Sequence, residues 1–127
     1  MTNSGEILGK LDIDIWFNPT YENYYRLLNA IDDLNIDVSS HKQKVAIPKE
    51  SYFRYEFENY KIDFLPEIKG LLKFYNCWNK RKIATINNEY LYFIAPEDLL
   101  ASKEVNPRKK DIEDIKYLRN MLKNKSK

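Results

Sequence analysis

Between Leu11 and Phe17 the chain reads "LDIDIWF", and this alternation constrains the fold more tightly than any other feature. A period of two belongs to a strand with two unlike faces. Leu11, Ile13, Ile15 and Phe17 are therefore expected on one side, with Asp12 and Asp14 on the other. Two aspartates so spaced stand about 6.5–7 Å apart at their Cα atoms. Aspartate is a poor strand former, and like charges on one face repel unless solvent or a cation offsets them. A divalent cation between the side chains would turn that cost into a binding site; the plain alternative is a solvated strand face. Mg²⁺ takes hard oxygen ligands, often one or two carboxylates together with substrate phosphates.

A second strand-like run, "YKIDFL" from Tyr60 to Leu65, carries one aspartate, Asp63. Paired beside the first, it would complete a cluster of Asp12, Asp14 and Asp63 around one or two metal ions. Two-metal sites hold their ions about 3.5–4 Å apart and clamp the attacking and leaving oxygens of a phosphoryl transfer.

The segment "LDIDIWFNPTYENYYRLLNAI", residues 11–31, resembles the metal-binding strand and following helix of small bacterial nucleotidyltransferase-like proteins. These belong to the DNA-polymerase-β-type superfamily, near the AbiEii-type toxins. "KIDFLPEIKGLLKFYNCW" is similar to their third-carboxylate strand, with Ile68, Gly70, Phe74 and Trp78 at matching positions. "IAPEDLLASKEVNPRKKDIEDIKYL" resembles their closing helical segment through Asp98, Leu99, Lys103, Arg108, Lys110, Asp111 and Asp114. The resemblance spans residues 11–118. It implies a nucleotidyltransferase-like fold: α+β, a mixed sheet with helices packed on it and a C-terminal helical segment, as one domain over residues 1–127. It also implies Mg²⁺-dependent (or Mn²⁺-dependent) transfer of a nucleoside monophosphate from a nucleoside triphosphate to a hydroxyl acceptor. Asp12, Asp14 and Asp63 would be both metal ligands and catalytic residues, Asp63 also assisting deprotonation of the acceptor. Lys103 and Arg108 could meet the triphosphate or simply pair with Asp111 and Asp114. Trp16 would line the nucleotide cleft or pack under a loop. Nothing in the sequence chooses among a small molecule, a tRNA end or a protein side chain as acceptor, nor between a homodimer and a partner protein.

The superfamily's Gly-Gly or Gly-Ser turn, a cradle of backbone N–H groups for phosphate, lies about a dozen residues before the two aspartates. That place falls before Met1, and Gly5 and Gly9 lack the paired signature. The Arg and Thr that precede the aspartates in the family are missing too. Weak or no transfer is therefore expected of this chain, and the alternative function is a catalytically inactive binding module of the same fold, acting with a partner as in a toxin–antitoxin pair.

Composition narrows the field. A length of 127 residues with 43% hydrophobic content supports one modest core. The net charge of +2 makes no global case for nucleic-acid binding. From Lys103 onward nine Lys/Arg face four acids, which suits a solvated helical terminus better than an RNA clamp. One cysteine, Cys77, excludes an internal disulfide, and one histidine, His41, excludes the usual zinc sets and triads. No signal-peptide or membrane-spanning pattern is visible, so a cytoplasmic location without membrane association is expected.

Thr20 is a credible N-cap for an amphipathic helix with Tyr24, Leu28, Ile31 and Leu34 on its buried stripe. Residues 35–50 are poorly periodic, with Val45–Ile47 a short strand candidate. Strands are expected over 51–57 and 61–65, with Asn59 near their turn. A loop and short helix should follow over 66–79, then a hairpin about Asn87-Asn88-Glu89. Pro96 suits the start of a helix ending near Lys103. Ile112, Ile115, Leu118 and Leu122 should be the buried stripe of the last helix, with Asp111 and Asp114 in surface ion pairs.

Overall fold

The computed structural model describes residues 11–42, 46–71 and 73–125. Within them the chain is mixed α+β, with five α-helices, one three-stranded sheet and one two-stranded sheet. Two compact units divide it, Met1–Glu67 and Ile68–Lys127. Gly5, Gly9 and Val45 lie outside the described residues.

In the first unit β1 (Leu11–Trp16) leads through the Asn18–Pro19 turn into α1 (Tyr21–Asp33). Thr20 caps that helix from an extended backbone (φ −86°, ψ 155°), its hydroxyl accepting from the Asn23 N–H at 3.2 Å. A short helix α2 (Ser39–Lys42) and a 3₁₀ turn (Pro48–Glu50) follow in the segment whose periodicity was too weak to reveal them. Ala46 and Ile47 join no strand. Next come β2 (Phe53–Glu56) and β3 (Tyr60–Leu65). The strand order is β1-β3-β2, with β1 parallel and β2 antiparallel to β3.

The apolar face of this sheet packs on α1. Phe17, Tyr24, Leu28, Ile31, Val38 and Phe64 form the buried core, with Phe53, Tyr55 and Ile62 against it. The core therefore draws on β3 and β2 more than on β1, which is a sheet edge. Ile13 and Ile15 share its face but stay partly exposed, and Leu11 is 65% exposed. The helical stripe is shorter than its spacing suggests: Leu28 is fully buried, whereas Leu34, already the C-cap, is 71% exposed.

In the second unit α3 (Phe74–Trp78) precedes the hairpin of β4 (Lys82–Ile86) and β5 (Glu89–Phe93). Asn87 and Asn88 take positive φ (53° and 67°), the left-handed pair that a two-residue hairpin turn requires. The helices α4 (Pro96–Lys103) and α5 (Asp111–Lys125) complete it. On α5 the expected Ile115 and Leu118 are buried, but Asp111 takes the place expected of Ile112. Asp111 is 1% exposed and joins buried Ile115 and Leu118, while Ile112 is 44% exposed. A carboxylate takes the core position because cations surround it, as described below.

Candidate metal and nucleotide site

Residues 12, 14 and 16 of β1, 61, 63 and 65 of β3, and 54 and 56 of β2 share the second face of the three-stranded sheet. The pairing is direct: Asp12 with Lys61, Asp14 with Asp63, Trp16 with Leu65, and Arg54 with Asp63. Neighbouring strands lie about 4.8 Å apart, so Asp14 and Asp63 are immediate neighbours. All three sequence-selected aspartates thus come to one face of two adjacent strands.

Two residues absent from the sequence reading complete that face. Arg54 grips Asp63 in a two-pronged pair, Nε donating to Oδ1 and Nη2 to Oδ2, the latter at 3.1 Å. Its Nη1 also lies 3.8 Å from Glu56. Lys61 Nζ stands 3.4 Å from Asp12. The Arg54 guanidinium, donating to both oxygens, holds the Asp63 carboxyl below the usual carboxylate range, Lys61 adding a smaller pull, and its own acidity is weakened in return. Among the described residues Asp14 makes no hydrogen bond or ion pair.

The donor set is of the right kind for Mg²⁺ or Mn²⁺, hard carboxylate oxygens on one face. Among the described residues, four acids (Asp12, Asp14, Glu56, Asp63) and two bases (Arg54, Lys61) stand on that face. No group of three or more His, Cys, Asp or Glu among the described residues is gathered closely enough to hold a metal.

Trp16 lies on the acidic face, and its indole N–H donates to the Pro66 carbonyl at 3.3 Å, tying the end of β1 to the end of β3. Lys103 and Arg108 belong to the second unit and converge on Asp111. Arg108 donates to Asp111 through its backbone N–H (2.9 Å) and through Nε (3.1 Å). Lys103 Nζ lies 3.5 Å from Asp111 and 3.1 Å from Asp114, and Lys69 Nζ 4.0 Å from Asp111. Hydrogen bonds from the Arg108 side chain and backbone, with the neighbouring cations, push the Asp111 carboxyl far below its ordinary value. The expectation that Asp111 is a surface ion-pair residue is corrected: it is the buried hub of three cations. Asp114 pairs with Lys103 from the preceding helix.

Elsewhere in the second unit Lys80 Nζ meets buried Asp98 at 2.8 Å. Burial, first, and the Asp98 carboxylate, second, push up the thiol of buried Cys77, which disfavours the thiolate. The ring of His41 packs 4.7 Å from that of Phe53. No helix among the described residues is long and apolar enough to cross a membrane.

Compared with known proteins, the chain matches no family model, no curated protein and no solved structure.

Proposed function

We propose that this chain is a nucleotidyltransferase-like protein whose working surface is the Asp12–Asp14–Asp63 face. On this reading it transfers a nucleoside monophosphate from a nucleoside triphosphate to a hydroxyl acceptor with Mg²⁺ or Mn²⁺. The observation that supports it is the parallel register of β1 and β3, in which Asp14 is the direct partner of Asp63. Asp12, Asp14 and Asp63 would hold the cation. When bound, it supplies charge neutralisation at the transferring phosphoryl group. The chain's own contribution is positional: the β1–β3 ladder fixes the spacing of the carboxylates, and the Trp16–Pro66 hydrogen bond secures the strand end beside them. Lys103 and Arg108, expected to meet the triphosphate, pair with Asp111 within the second unit.

A second reading, a non-catalytic binding module of the same fold that acts with a partner protein, is favoured by a different observation. Arg54 and Lys61 already answer Asp63 and Asp12 from within the sheet.

Incubation of the protein with each α-labelled nucleoside triphosphate, Mg²⁺ and a cell extract separates the two. Label transfer that disappears in an Asp12→Ala/Asp14→Ala variant supports the enzyme. Calorimetric binding of a triphosphate without transfer supports the module.

A further inference from the structure

We propose that this chain forms a two-fold dimer through one face of the β4–β5 hairpin, the occupant of that face being the same hairpin of a second copy. The inference does not depend on the acidic sheet.

The register of the hairpin defines the face. Lys82 pairs with Phe93, Ala84 with Leu91 and Ile86 with Glu89, so these six residues share one side. Ile83, Thr85, Tyr90 and Tyr92 share the other, where the Trp78 ring meets that of Tyr92 at 5.0 Å and the Arg81 guanidinium lies over both. On the first side Ile86, Leu91 and Phe93 are 51%, 41% and 51% exposed. A two-stranded hairpin alone in water is marginally stable at best, and apolar side chains grouped in the open mark an interaction surface.

The charges on this face select the occupant. Lys82 stands at the open end of the hairpin and Glu89 at the turn end. Both are exposed, and neither makes an ion pair with another described residue. A cation, an apolar middle and an anion, in that order, are complementary to their own reverse. When two copies stack face to face about an axis perpendicular to the strands, Lys82 of each comes to the end that carries Glu89 of the other. The Ala84–Leu91 pairs then meet at the centre. An axis along the strands would instead gather like charges at each end, which is costly across an interface. The arrangement is isologous and closed, so it stops at two copies. Packed sheets stand about 10 Å apart, a gap suited to the Ile86, Leu91 and Phe93 side chains.

The test is the oligomeric state of the full chain, read by sedimentation velocity and light scattering over a wide concentration range. The parent should pass from monomer to dimer. Leu91→Lys should weaken association by about tenfold or more, since it puts a charge at the centre of the interface. Lys82→Glu and Glu89→Lys each gather like charges at both ends and should each weaken it by about tenfold. An equimolar mixture of those two variants should regain the parent's association, because every end then joins opposite charges. Tyr90→Ser, on the opposite side, is the control and should associate as the parent does. A parent that stays monomeric throughout would overturn the proposal and leave the face to a partner of another kind. Dimers that survive Leu91→Lys would overturn the choice of face, as would dimers lost in Tyr90→Ser. A mixture that fails to regain association would overturn the end-reversed arrangement. Should Leu91→Lys lose its cooperative melt, the mixture experiment decides.

Discussion

Asp14 and Asp63 are direct partners across the parallel β1–β3 ladder, yet only Asp63 is held by a cation, the Arg54 guanidinium arriving from β2. Asp14 therefore stands beside a like charge with no paired cation among the described residues. Neutralising it should relieve repulsion. Asp14→Asn is expected to stabilise the metal-free protein by about 0.5 kcal/mol, a rise of a few degrees in Tm. The same variant should lose any rise in Tm on adding millimolar Mn²⁺. Paired thermal melts with and without the metal check both halves.

The acid limb of stability should come from Asp63 and Asp111. Hydrogen bonds from Arg54 and from Arg108, respectively, hold both carboxyls below their ordinary value of 3.8 in the folded chain. The folded state therefore favours the ionised form. The stability this contributes is fully present above about pH 4 and is lost as the pH falls through the lower, folded values. Melting temperatures should be flat from pH 7 to pH 5 and drop below pH 4. Asp111→Asn should lower Tm at pH 7 by about 5 °C and flatten the acid drop. An unchanged acid limb in that variant would assign the limb to other carboxyls.

Gly70 has φ +79°, and a Cβ built there would stand 2.7 Å from Val105 Cγ2. Val105 can shift, but an L side chain at that φ remains strained. Gly70→Ala should destabilise the second unit by about 1–2 kcal/mol, measured as a lower urea midpoint.

Leu28 and Leu34 were expected on one helical stripe, but Leu34 falls at the C-cap and the two differ in burial. Leu28→Ala should cost about 3 kcal/mol, since it empties a fully buried site. Leu34→Ala, at a residue 71% exposed, should change stability by no more than about 0.5 kcal/mol. Denaturant titration of the two variants side by side settles the difference.

Much of the first unit was legible in the residues. The alternation at 11–17 assigned β1 and the face of each aspartate, Thr20 marked the start of α1, and in the second unit the Asn pair marked the β4–β5 hairpin. Arg54 was legible too. Once the β2–β3 turn is centred on Glu58 and Asn59, closed by the Phe57 N–H to Tyr60 carbonyl bond at 2.8 Å, Arg54 must face Asp63. The segment with α2 and the 3₁₀ turn was not legible, because both are single turns too short to show a period.

By itself the sequence determined what is local: periodicity, caps and turns, which depend on neighbours within a few residues. It thereby determined that Asp12 and Asp14 share a strand face. Only the tertiary structure decided which charges answer them, because the β1–β3 register joins residues almost fifty positions apart and no local pattern encodes that pairing. The same holds for Asp111. Its place in the chain reads as a solvated helix start, and it is buried because Lys69, Lys103 and Arg108 converge on it from outside α5. A buried carboxylate is tolerated only where paired cations offset its desolvation, and the fold of the second unit brings those cations together.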